Sequence, residues 1–116
     1  MKSYILAVSV ALGGLVASCT SVVPPPNDQW SAAQVELGRA QAGGAPAVPD
    51  AKLHLQLAEE DLQKSKALIG ADNKRAATLI VLATAEAQLA STLAQAAHAG
   101  NDAQQAQDSL QKKGAQ

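Results

Sequence analysis

The chain has no phenylalanine, one tyrosine and one tryptophan, and no aromatic residue follows Trp30 in its 116 residues. Without large rings, a core must come from aliphatic and small side chains. Alanine is in great excess here, so helices packed closely through small residues are expected. The single cysteine, Cys19, excludes an internal disulfide. The two histidines, His54 and His98, stand alone without the paired spacing of a zinc or copper site, so neither metal nor cofactor is expected. No GxxxxGK phosphate loop and no GxSxG nucleophile elbow occurs, and without a catalytic constellation the chain reads as a non-enzyme. The run Glu59, Glu60, Asp61 points in three directions on a helix and reads as a solvated face, not a cation site.

What is present begins with an address. Met1 and Lys2 open an apolar stretch, with no second charge before the small residues Ala17 and Ser18, which is the layout of an export signal. It is too short to span a bilayer, which needs ~20 apolar residues. The residues "VASC" ending at Cys19 resemble the lipobox of bacterial lipoproteins. That resemblance implies a signal peptide over 1–18 and a lipidated Cys19 as the first residue after cleavage. An ordinary secretory signal beside an incidental cysteine is the plainer alternative, but it does not explain why the cysteine abuts the cleavage site. Several acyl chains hold firmly at ~0.8 kcal/mol per buried methylene, and a lipidated sulfur is neither nucleophile nor ligand.

In Gram-negative lipoproteins, to which this start is similar, aspartate after the cysteine is the usual inner-membrane retention mark. Thr20 stands there, which implies the periplasmic face of the outer membrane. Cleavage removes Lys2 and leaves eight basic against ten acidic residues, a balance that argues against nucleic acid or anionic lipid as partner.

Residues 19–28 read as the lipidated cysteine and a proline-rich tether, because Pro24, Pro25 and Pro26 favour an extended segment without a core. Residues 29–99 read as the helical domain. A first helix is expected over 29–41 with Asp28 as N-cap and Gly43 and Gly44 as its stop. A second runs from 51 to about 69 behind Asp50, and a third from 73 to about 98 with Asp72 poised as its cap. The polar stretch 100–116 carries one large apolar side chain, Leu110, so a frayed helix or tail is expected, continuous with the third or broken at Gly100.

Spacing supplies the packing. Trp30, Ala33, Leu37 and Ala40 form one stripe on the first helix. Ala51, Leu55, Ala58, Leu62, Ser65 and Ile69 alternate steps of four and three on the second. On the third, Ala76, Ile80, Ala83, Ala87, Ala90, Ala94 and Ala97 form a seam, with Leu79, Leu82, Leu89 and Leu93 ~100 degrees round it. The opposite side carries Thr78, Thr84, Gln88, Ser91 and Gln95. The short turn predicts an all-α fold: an antiparallel helical hairpin with a short N-terminal helix covering its remaining apolar side, a small three-helix bundle. Trp30 reads as a packing centre in preference to an interface anchor. The alanine seam reads as intramolecular in preference to a zipper between copies, with a homo-oligomer left open because the core is small.

The stretch "VPDAKLHLQLAEEDLQKSKALI", followed by "DNKRAATLIVLATAEAQLASTLAQAA", resembles the alanine-rich domain of unknown function of Gram-negative envelope lipoproteins, over roughly residues 30–98. In that family the domain is often followed by an OmpA-like module that grips peptidoglycan, so the resemblance implies a role in cell-envelope organisation. No such module lies within these residues, and peptidoglycan contact would then be indirect or made by the helices. The family carries a basic residue at the position of Leu82 and an aspartate at that of Glu86, which implies that a charge pair is missing here. The first reading is therefore a non-enzymatic lipoprotein that binds an envelope protein partner. The alternative is a self-assembling structural lipoprotein.

Two polar residues interrupt the apolar faces. His54 lies on the apolar side of the second helix and Glu86 in the leucine stripe of the third. In a hairpin turning near residue 71 they stand at equal heights to within half a helical turn. They form a candidate structural pair that would fix the register of an otherwise slippery alanine seam. The competing and preferred reading leaves both at the seam's edge in water.

Overall fold

The computed structural model describes residues 22–115; Cys19 and the signal segment lie outside them. The described residues are all-helical: α1 (Asn27–Ala42), a short 3-10 turn (Ala45–Ala47), α2 (Pro49–Leu68) and α3 (Asn73–Gly114).

Helix α1 begins two residues before the expected start. Pro26 takes the cap position and Asp28 sits within the first turn, where its charge favours the helix N-terminus without a capping hydrogen bond. Helix α2 likewise begins at Pro49, and Asp50 lies inside the first turn, not at the cap. Proline suits the first helical position because its missing N–H has no partner there anyway. Asp72 does cap α3, accepting from the Arg75 N–H at 3.0 Å. Between α2 and α3, Gly70 takes φ +91, left-handed backbone that glycine adopts without steric cost.

The seams are buried. Ala33, Leu37 and Ala40 of α1, Ala51, Leu55, Ala58 and Leu62 of α2, and Ile80, Ala83, Ala87, Ala90 and Ala94 of α3 form one core. Ser65 is fully buried among them, and its hydroxyl donates to the Leu62 carbonyl at 2.8 Å, so no lone donor is left in the core. Ile69 and Ala97, the outer members of their stripes, are half-buried. Among the described residues, every buried one lies between Pro26 and Ala94.

Three features bear on the expectation: the first decides between two alternatives left open, and the other two differ from it. First, α3 runs unbroken through Gly100 to Gly114, about 63 Å at 1.5 Å per residue. Glycine costs ~1 kcal/mol against alanine in a helix, too little to stop one that continues a packed, alanine-rich helix. Residues 98–115 are exposed throughout. Second, the end of the tether is packed. Pro26 is buried, and the Asn73 side chain donates to the Val23 carbonyl at 2.8 Å while accepting from the Gly70 N–H at 2.7 Å. One side chain thus ties the α2–α3 turn to the incoming chain.

Third, α1 does not cover the leucine stripe. Gln29 and Ala32 of α1 share a cleft with Ile80, Val81, Thr84, Ala85 and Gln88 of α3, the side that reads as polar in the sequence. Ile80, Val81 and Ala85 stand among the polar residues of that side, so α1 meets a mixed surface there. Trp30 secures α1 from the other flank: its indole N–H donates to the Leu62 carbonyl at 3.3 Å, and Lys66 Nζ stands 5.1 Å above its ring.

Candidate functional site

Because α1 shares a cleft with Ile80, Thr84 and Gln88 of α3, the flank of the α2 and α3 pair that carries the leucines is open. Leu53 and Leu57 of α2 are 56% and 39% exposed, and Leu82 and Leu89 of α3 are 49% and 42% exposed. Scattered surface leucines are ordinary, but four along one flank of one helix pair form an apolar strip of the kind that marks a contact surface. Position in the heptad explains it. At 100 degrees per residue they stand roughly 120–160 degrees round from the buried seams, on the outward side of each helix, and among the described residues no third helix closes over them.

His54 and Glu86 stand within this strip. His54 Nδ1 lies 2.5 Å from Glu86 Oε2, with the two side chains 27% and 30% exposed. The structure therefore brings the candidate pair together, at the edge of the interface and still open to water on one side. A carboxylate lodged among leucines is satisfied in this way without full burial. The pair also gives the strip a single polar landmark.

The other singled-out residues are placed apart. His98 is exposed, and its Nε2 stands 2.7 Å from where a Cβ on Gly44 would sit, so it packs over the α1–α2 connection, away from His54. Glu59 accepts from the Gln41 side chain at 2.9 Å, and Glu60 pairs with Lys64 at 2.7 Å. The Lys64 ammonium, by its hydrogen bond and charge, holds the Glu60 carboxyl below the ordinary carboxylate range. Among the described residues no three His, Cys, Asp or Glu side chains gather to hold a metal. Trp30 is half-buried against the core and spans α1 and α2.

By length and composition α3 is the one described helix apolar enough to cross a membrane, with a most apolar window of mean hydropathy 1.4. Of that window 28% is buried; its hydropathy comes from the alanine seam together with the exposed Val81, Leu82 and Leu89, and its other faces carry Thr78, Glu86, Gln88 and Gln95. The bridging role of Asn73 was not read from the sequence. Its one signal is an asparagine directly after a capping aspartate, and that marks a turn without naming a distant partner.

Compared with known proteins, the chain matches no family model, no curated protein and no solved structure.

Proposed function

We propose that this chain is a non-enzymatic lipoprotein, anchored through Cys19 to the periplasmic face of a Gram-negative outer membrane. Its helical domain would bind another envelope protein, one carrying a peptidoglycan-binding module, as the resemblance to the alanine-rich envelope family implies. In this reading α2 and α3 run antiparallel as a hairpin and α1 lies along one side. The contact between His54 and Glu86 and the four-residue turn between Leu68 and Asn73 support that arrangement.

The observation that carries the partner reading is the uncovered strip of Leu53, Leu57, Leu82 and Leu89. A folded domain of this size gains by hiding such a strip, and association hides it. The alternative, self-assembly through the alanine seam, finds less support: Ala76, Ala83, Ala87, Ala90 and Ala94 are wholly inaccessible within one chain. A second copy would have to use the leucine strip or the exposed end of α3.

Site-specific photocrosslinking in intact cells tests this. A crosslinker at Leu82 is expected to yield one discrete envelope-protein adduct, and the same group at Gln95, exposed on another face, to yield none. Adducts of equal pattern from both positions, or none from Leu82, would overturn the partner reading. A Leu82 adduct with a second copy of this chain would favour the self-assembling alternative.

A further inference from the structure

The chain-wide acidic balance hides an uneven distribution. Around the α2–α3 turn, residues 64–75 carry Lys64, Lys66, Lys74 and Arg75 against Asp72 alone. All four basic side chains are exposed. Lys64 is engaged by Glu60 and Lys66 leans over Trp30, while Lys74 and Arg75 make no ion pair among the described residues. The last turns of α2 and the first turn of α3 therefore form a basic end on an otherwise acidic bundle.

The same end receives the incoming chain. Val23 is tied to Asn73 by a 2.8 Å hydrogen bond, and Cys19 precedes Val23 by four residues, a reach of at most about 14 Å. A lipid on Cys19 thus holds the turn end within about 14 Å of the bilayer surface, with the exposed end of α3 on the far side of the bundle. Beside the turn, Lys64, Arg75, Ala67, Leu68 and Leu79 line a cleft of ≈ 440 Å³. Arg75 over an apolar floor, with Lys64 beside it already paired with Glu60, matches a phosphate ester with its first methylenes.

We propose that the α2–α3 turn end docks on anionic phospholipid headgroups of the leaflet that holds the Cys19 acyl chains, with Lys74 and Arg75 as the principal contacts, so that the domain stands in one orientation on its membrane. The inference rests on the lipid-anchor reading. A tether of so few residues brings the basic end to the surface whatever its charge, and the charge then decides whether it settles there. Basic residues next to an anionic leaflet contribute about fivefold each to the ratio of docked to undocked protein.

The test uses the acylated full-length product reconstituted in vesicles of phosphatidylcholine alone, or with about a quarter phosphatidylglycerol, at low salt. A fluorophore on Ala71→Cys reports the turn, and one on Gln111→Cys reports the far end of α3. Headgroup-labelled lipid is expected to quench the Ala71 probe strongly in anionic vesicles and the Gln111 probe in neither. Lys74→Gln with Arg75→Gln should lower the docked-to-undocked ratio about 25-fold. Equal quenching in neutral vesicles, or none in anionic ones, would overturn the docking and leave the basic end to face an acidic protein. Mass spectrometry of Cys19 reads the anchor separately: an unmodified thiol overturns the anchor and the docking together, whereas acylated protein without docking overturns the docking alone.

Discussion

His54 Nδ1 and Glu86 Oε2 meet at 2.5 Å across α2 and α3, joining residues 32 apart at the edge of a seam made almost wholly of alanine and leucine. An alanine seam offers many nearly equal registers, because one small side chain packs much like the next. A single polar pair removes that degeneracy, since slippage by one turn leaves both groups among leucines without each other. A double-mutant cycle with His54→Ala and Glu86→Ala is expected to give a coupling of about 1 kcal/mol, a charge-assisted hydrogen bond discounted for solvent exposure. Strictly additive losses would mean that the contact contributes nothing to stability.

Glu60 and Lys64 test a weaker interaction. Both are fully exposed, and the Lys64 hydrogen bond lowers the Glu60 carboxyl while raising the Lys64 ammonium. A carboxyl lowered in the folded state contributes stability above its unfolded value and loses it as pH falls through the folded one. An NMR titration should therefore find the Glu60 midpoint below that of an ordinary glutamate, and Lys64→Ala should return it to the ordinary range. An unmoved midpoint in Lys64→Ala would remove the pair from the account.

Gly44 is constrained twice. Its φ is +87, and a Cβ there would lie 2.7 Å from His98 Nε2. Gly44→Ala should cost about 1–2 kcal/mol from the left-handed backbone alone. The exposed His98 ring can swing aside, so adding His98→Ala should recover only a small part of the loss. Full recovery in the double variant, read by thermal melting, would show the cost to be steric contact and not backbone conformation.

The seams themselves were legible in the sequence because period and residue size agree: Ala51, Leu55, Ala58, Leu62 and Ser65 recur at steps of four and three, and all are buried. The His54 and Glu86 contact followed from turn position, although solvation was the preferred reading. The side taken by α1 was not legible. Thr84, Ser91 and Gln88 read as a polar face, but Ile80, Val81 and Ala85 are interleaved with them and line the cleft shared with α1. The packed tether was hidden for a related reason. Three prolines predict an extended segment, and nothing local to them announces that Asn73, fifty positions on, will bond Val23.

Seam packing gives a contrast within one helix. Ala87 is wholly buried, and Ala103 on the same helix is exposed. Ala87→Leu forces extra methylenes between α3 and its neighbours and should destabilise by about 1–3 kcal/mol. Ala103→Leu should stay within about 0.5 kcal/mol of the parent. Equal effects in chemical denaturation would show that the seam is looser than its burial implies.

The exposed end of α3 makes the last prediction. No residue after Ala94 belongs to the core, yet the helix continues to Gly114. Its order there rests on propensity and on continuity with a helix already nucleated by tertiary packing, because an isolated segment this short is marginal in water. Two consequences separate. A chain ending at residue 98 should unfold with a free energy within about 0.5 kcal/mol of the parent, since it loses no buried contact, while its helical circular dichroism per molecule falls. Gly100→Ala in the full chain should slow amide exchange beyond residue 100 by about fivefold, the gain of ~1 kcal/mol when glycine leaves a helix interior, and leave exchange in the seam unchanged. A large loss of stability on truncation would mean that the overhang packs against something, and with no partner for it among the described residues, the natural candidate would be a second copy.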